Sequence, residues 1–191
     1  MKKLFAIIIC IAVILSTAAC GFLDSETAPE SKPESAVESV IESAVESIDP
    51  LEGLEKYTSK SGLSLYMKKG YAETELEGVA CYFQGIDSAV SCSKETNEIL
   101  EAAGLRTDYT LEEYAQLVAT ANGFDCTPQT DDYGNVFIVY EKNIDGNDFT
   151  YYAYFKTGKD AYWTCNFICL KSDTDKYADD FALWASTIEI A

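Results

Sequence analysis

Residues 149–155 read FTYYAYF, and residues 161–167 read AYWTCNF. In an extended strand successive side chains point to opposite faces, so both segments would carry aromatic rings on both faces. A sheet with one face in water instead alternates apolar and polar residues. We therefore expect other secondary-structure elements to pack against both faces of the sheet. This predicts an α/β (α+β) fold, an α/β/α sandwich whose mostly antiparallel sheet is flanked by helices on both faces.

Local patterns around these two segments place the other elements. Strands are predicted over residues 62–67, 78–83, 89–92, 135–142, 149–156 and 161–171. A tight turn is predicted at residues 85–88. Hairpin turns are predicted at 145–146 and 157–158, because glycine tolerates the positive φ that such turns require.

Three helices are predicted, and the middle one has the clearest ends. Thr110 and Glu113 form a capping box at its start, and Gly123 supplies its end. A short helix is expected over residues 94–104, and a last one begins near Asp175 with an apolar face.

Five short motifs in this order resemble the PsbP-like group, which shares its α/β/α sandwich with the Ran-binding Mog proteins. They are GLS at 62–64, TLEEYA at 110–115, YYAY at 151–154, AYWTCNF at 161–167 and FALWASTI at 181–188. The resemblance covers about residues 51–191 and implies the fold more than any activity. Members include a photosystem accessory subunit, a nuclear-transport regulator and many bacterial lipoproteins of unknown role. The resemblance therefore implies a non-catalytic binding or assembly module.

The first twenty residues have the pattern of a secretory signal. Lys2 and Lys3 precede an apolar run over residues 4–15, and small residues follow directly before Cys20. The segment resembles a bacterial lipoprotein signal, with Thr17 standing where leucine is usual. We predict a signal peptide over 1–19 and acylation, including palmitate, at Cys20. An ordinary cleaved signal is the alternative.

Residues 20–50 are rich in serine and glutamate and contain no aromatic side chain after Phe22. Such a composition buries too little apolar surface to offset chain entropy, so it predicts a flexible acidic spacer. Small apolar residues recur every four positions, and a transient amphipathic helix is the alternative. The globular domain is predicted over 51–191.

Charge and composition exclude several classes of function. The 191-residue chain carries a formal charge of −18, which disfavours nucleic acid because that partner requires clustered Lys and Arg. The chain has no histidine, so it cannot by itself build Ser-His-Asp or Cys-His catalysis. We expect no cofactor.

Two cysteines are candidates for a disulfide. If the 85–88 turn is centred on residues 86 and 87, Cys81 lies directly opposite Cys92, within the reach of a bridge. Alternatively, both are small buried hydrophobic side chains. The acidic clusters at 131–132 and 143–148 do not have EF-hand spacing, and we predict no metal site.

These observations predict a lipoprotein on the extracytoplasmic face of a bacterial cell membrane. It would be held there by its lipid anchor and would act as a non-catalytic binding or assembly module. Its partner would be an envelope protein or a cell-wall component. The alternative is an envelope enzyme that uses carboxylates or a free thiol.

Overall fold

The computed structural model describes residues 49–191. The predicted signal peptide, Cys20 and the spacer as far as residue 48 lie outside the described residues. Among those that are described, no helix combines the length and hydropathy needed to cross a membrane.

The described chain forms ten strands, three α-helices and one short 3₁₀ turn at Lys171–Asp173. The strands are β1 Leu54–Thr58, β2 Leu63–Lys68, β3 Ala72–Glu73, β4 Cys81–Gln84, β5 Ser88–Thr96, β6 Gln129–Thr130, β7 Val136–Ile144, β8 Asn147–Gly158, β9 Ala161–Leu170 and β10 Glu189–Ile190. The helices are α1 Asn97–Ala102, α2 Leu111–Asn122 and α3 Thr174–Ser186.

All strand pairs are antiparallel, and they form two sheets. The larger has seven strands in the order β3-β4-β5-β9-β8-β7-β6, and the smaller has three in the order β1-β2-β10. The domain is therefore a mixed α/β fold that is mostly antiparallel sheet, in agreement with the prediction from the aromatic strands.

The two faces of the large sheet pack against different elements. On the first, called the α2 face, the ring of Tyr114 from α2 stacks on Tyr162 of β9 at 4.4 Å between centroids. On the second, called the α3 face, Phe181 of α3 contacts Phe167 of β9 at 5.4 Å. The α3 face also packs against β2, whose Leu63 and Leu65 belong to the same buried cluster. A helix and the small sheet therefore share this face.

Local signals for α2 and for one hairpin are confirmed. The Thr110 hydroxyl accepts from the Glu113 amide at 3.2 Å, and the Glu113 carboxylate accepts from the Thr110 amide at 3.0 Å. Gly123 ends the helix with φ of 68°. The 145–146 turn is also present, with positive φ at both Asp145 and Gly146.

Several predicted boundaries are wrong: β4 begins at Cys81 and not at residue 78, and β5 continues to Thr96 instead of ending at residue 92. The segment 94–104 is helical only from Asn97 to Ala102, because β5 continues to Thr96 in its pairing with β9. The turn expected at 157–158 lies two residues later, at 159–160, since β8 continues to Gly158, which pairs with Ala161. Asp160 supplies the positive φ there, at 55°.

Gly158 is required for space, not for a turn. A Cβ at this position would lie 2.9 Å from Trp163 Nε1 and 3.0 Å from Ile190 Cγ2. The indole of Trp163 is buried in the core, so it has little room to move away. The missing side chain therefore allows β10 and Trp163 to pack against the end of β8.

We expect Gly158→Ala to lower the free energy of unfolding by about 1–3 kcal/mol, because it overpacks the Trp163 contact. Urea unfolding followed by tryptophan fluorescence measures the effect. Thr157→Ala at the exposed neighbouring position is the matched control and should change stability little. A Gly158→Ala variant as stable as wild type would contradict this account of the contact.

Candidate functional site

Strands β4, β5 and β9 carry two rows of side chains on opposite faces, and both rows contain chemically active groups. Cys81, Cys92 and Cys165 lie opposite one another across the three strands. We call them the thiol row; they lie on the α3 face, together with Phe167. The next residues along the strands form the second row, on the α2 face.

The predicted register of the β4–β5 hairpin is confirmed, since Cys81 pairs with Cys92. The Gly85 amide donates to the Ser88 carbonyl at 2.9 Å, so this closing pair is hydrogen-bonded. Pair types alternate along an antiparallel ladder, which makes Cys81–Cys92 a hydrogen-bonded pair too, with Cα atoms about 5.5 Å apart. That separation suits a disulfide. Both thiols are free in this structure, and the bridge stays a prediction.

Cys81 also lines a cleft of about 170 Å³ at the edge of the sheet. The other lining residues are Lys60, Glu73, Thr74, Glu75, Leu76, Val79 and Ala80. The Lys60 ammonium donates to Glu75 at 3.3 Å, and the Lys60 backbone amide donates to Glu73 at 3.2 Å. The lining thus has two carboxylates against one ammonium.

The thiols at and behind the cleft differ in acidity. Hydrogen bonding with Cys92, and then with the hydroxyls of Ser59 and Ser61, holds the pKa of Cys81 below its ordinary value in spite of burial. Contact with Cys165 and with Cys81, together with complete burial, raises the pKa of Cys92. Of these two thiols, Cys81 therefore ionises more readily than Cys92.

The second row consists of Tyr82, Ser91 and Asn166, which also lie opposite one another on β4, β5 and β9. We call these three residues together with Tyr151 of β8 the polar row. All four are at most 5% exposed. Tyr140 of β7 donates its hydroxyl to Asn166 Oδ1 at 3.0 Å.

Four polar atoms of the polar row have no hydrogen-bond partner among residues 49–191: Tyr82 Oη, Ser91 Oγ, Tyr151 Oη and Asn166 Nδ2. A buried polar group that lacks a partner costs about 1–3 kcal/mol. Burial raises the pKa of Tyr151 to about 12 and also raises that of Tyr82, so both hydroxyls are neutral near pH 7. The row thus offers uncharged donors and acceptors that a bound molecule could satisfy.

Strand alternation alone did not identify the polar row. The sequence feature that points to this row is that Ser91 and Asn166 are polar residues within otherwise apolar strands. Their proximity depends on the β5–β9 pairing, and no local motif specifies that pairing.

The acidic clusters are explained by turn geometry. Asp131 accepts from the backbone amides of Tyr133 and Asn135 at 2.9 and 2.8 Å. Asn143 donates to Asp148 at 2.7 Å and accepts from the Gly146 amide across the hairpin. Within the described part of the chain, no three Cys, Asp or Glu side chains come together as a metal would require.

Comparison with known proteins gives similarity of fold only. No family profile matches the chain, and no curated protein matches it. A crystal structure of a protein from Bacteroides thetaiotaomicron VPI-5482 is similar with a TM-score of 0.50 and 13% identity. The match covers 73% of this chain, which spans 49% of that protein's length.

A solution structure of cyanobacterial PsbP (CyanoP) from Synechocystis sp. PCC 6803 is also similar, with a TM-score of 0.41 and 14% identity. That match covers 73% of this chain and 93% of the other. A PsbP protein is thus among the structural neighbours of this domain, at low sequence identity.

The polar row predicts opposite effects for two neighbouring tyrosines whose rings stack at 4.9 Å. Tyr151→Phe removes an unpartnered hydroxyl and should leave stability unchanged or raise it by about 1 kcal/mol. Tyr140→Phe breaks the bond to Asn166 and should lower stability by about 1–3 kcal/mol. Urea unfolding of the two variants measures the difference, and equal losses would show that Tyr151 has a partner.

Proposed function

We propose that this protein is a lipid-anchored module on the extracytoplasmic face of a bacterial membrane, and that it binds an envelope protein or a cell-wall component without catalysing a reaction. Acylated Cys20 would hold it at the membrane, and residues 20–50 would keep the domain away from the surface. The α/β/α sandwich and the Mog-like relationship belong to the same proposal.

The polar row carries this proposal. Its unpartnered atoms span four adjacent strands of one sheet face, and each lowers the stability of the free domain. Because all four atoms are buried in the free domain, a partner that supplied hydrogen bonds would remove this cost only after displacing the side chains that cover them. The complex with such a partner is favoured over the free domain, because binding gives hydrogen bonds to polar groups that otherwise stay unpaired. Specific recognition depends on this difference.

The chemistry of the row favours binding over catalysis. Its groups are hydroxyls and an amide, and burial keeps Tyr82 and Tyr151 protonated, so none of the four is an activated base or nucleophile. With a formal charge of −18 on the whole chain, a neutral or basic partner surface would meet less repulsion than an acidic one.

One observation favours the alternative of a thiol enzyme. Cys81 lines a cleft and has a neighbouring thiol directly opposite, as an exchange reaction would need.

The membrane anchor is tested by metabolic labelling with a palmitate analogue in a bacterial host. Wild-type protein should take up label and sediment with membranes, whereas Cys20→Ala should do neither. Because no other feature proposed here ties the acidic chain to anionic lipid, the variant should be found free in the extracytoplasmic fraction. Unlabelled wild-type protein would overturn the anchor.

Partner binding is tested by crosslinking in intact envelopes. A triple variant, Tyr82→Phe with Ser91→Ala and Tyr151→Phe, removes three unpartnered hydroxyls and should lose most of the crosslinked product. The control variant Tyr133→Phe removes a hydroxyl from an exposed residue outside the polar row. We expect it to form as much crosslinked product as wild type.

Thermal unfolding must show that the triple variant is at least as stable as wild type, so that loss of product reports on binding. Full crosslinking by a folded triple variant would remove the polar row from the proposed function.

A further inference from the structure

Cys81 and Cys92 differ in access, and this difference suggests chemistry outside the polar row. Cys81 lines the cleft and is 5% exposed, whereas Cys92 is completely buried behind it. The two residues are directly opposite in register. A reagent that enters the cleft can therefore reach Cys81 first and can reach Cys92 only through it.

From this geometry we propose that Cys81 and Cys92 form a thiol–disulfide exchange site for a small disulfide that is neutral or positively charged. The Cys81 sulfur would be the attacking group, and the Cys92 sulfur would resolve the intermediate. This activity is independent of the lipid anchor and of the polar row, so its failure would leave both of those proposals standing.

The exchange has two steps, and it balances. The Cys81 thiol loses its proton and its sulfur attacks one sulfur of the substrate disulfide, which breaks the S–S bond and releases one thiolate. The Cys92 thiol then loses its proton and attacks Cys81 in the mixed disulfide, which releases the second thiolate. The two protons finish on the released thiols. Two electrons pass from the protein dithiol to the substrate, and a Cys81–Cys92 disulfide remains.

Hydrogen-bond donors around Cys81 support its role as the attacking sulfur. The hydroxyls of Ser59 and Ser61, which hydrogen-bond each other at 2.8 Å, help to lower the pKa of Cys81, and the Ser59 hydroxyl also accepts from the Leu63 amide at 3.1 Å, which holds this side chain in place. Donors directed at a sulfur stabilise the thiolate, which is the reactive form.

The cleft lining sets the preference for substrate charge. Glu73 and Glu75 carry two negative charges there, and Lys60 carries one positive charge that is already paired with Glu75. An anionic disulfide is therefore repelled, and a cationic one is attracted. Because the ion pair is exposed to solvent, the preference should weaken at high salt.

The test uses purified full-length protein, fully reduced, with three disulfides: cystamine (cationic), 2-hydroxyethyl disulfide (neutral) and oxidised glutathione (anionic). Samples are quenched in acid, and intact mass with peptide mapping identifies each product. In the mapped peptides, wild type should lose two hydrogens at Cys81 and Cys92 and gain a bridge between them, whatever adduct forms at the more exposed Cys126. Cystamine should react at least about tenfold faster than oxidised glutathione at low salt.

Three variants separate the roles of the sulfurs. Cys92→Ala should stop at a stable mixed disulfide on Cys81, and Cys81→Ala should give neither adduct nor bridge at Cys92. Cys165→Ala is the matched control, since Cys165 lies opposite Cys92 in the same row but does not line the cleft. It should still form the bridge.

The rate of thiol–disulfide exchange by the wild-type protein, measured at increasing urea concentration, gives a test that needs no variant. Reaction through the cleft should be almost independent of urea well below the unfolding transition, and Cys81 should react before the other buried thiols. Modification of Cys169 and Cys165 at the same rate as Cys81, or a bridge between other cysteines, would overturn the proposal. So would equal rates with cystamine and oxidised glutathione.

Discussion

The antiparallel pairing of β8 with β9 is the interaction on which the rest of the domain depends. The pairing runs from Phe149 opposite Leu170 at one end to Gly158 opposite Ala161 at the other. At its centre Tyr152 lies opposite Phe167. Both strands carry large side chains on both faces, so neither face can be left in water without a large loss of hydrophobic burial. The rings of Tyr162 and Phe167 on β9 are accordingly covered, the first by Tyr114 of α2 and the second by Phe181 of α3.

The same register places the two rows of the candidate site. Cys165 and Asn166 are consecutive on β9, so their side chains point to opposite faces. Cys165 completes the thiol row on the α3 face, and Asn166 completes the polar row on the α2 face. A slip of one residue between β5 and β9 would exchange the two faces and break up both rows, and burial on both faces opposes it.

Sequence reasoning succeeded where the signal was local. The α2 caps depend on residues three apart, and the Cys81–Cys92 register depends on one tight turn. It failed where tertiary contacts decide: Gly158 looked like a turn residue, but it is small because of Trp163 and Ile190. The short strands β1, β3, β6 and β10 were missed as well, since two-residue strands have no period to detect and β1 has a mostly polar sequence. The polar row required a long-range pairing.

The shortness of β3 has a consequence for the dynamics of the sheet edge. In the β3–β4 ladder only Ala72 and Glu73 pair with β4, and Thr74 adds one backbone bond to Tyr82 at 2.9 Å, so no residue of β3 pairs with Cys81, which lines the cleft. Backbone amides near such an edge exchange with solvent by local opening, without unfolding of the whole domain. A covalent link from Cys81 to Cys92 would tie β4 to an interior strand and remove that independent motion. The oxidation state of the edge would thus set how often it opens.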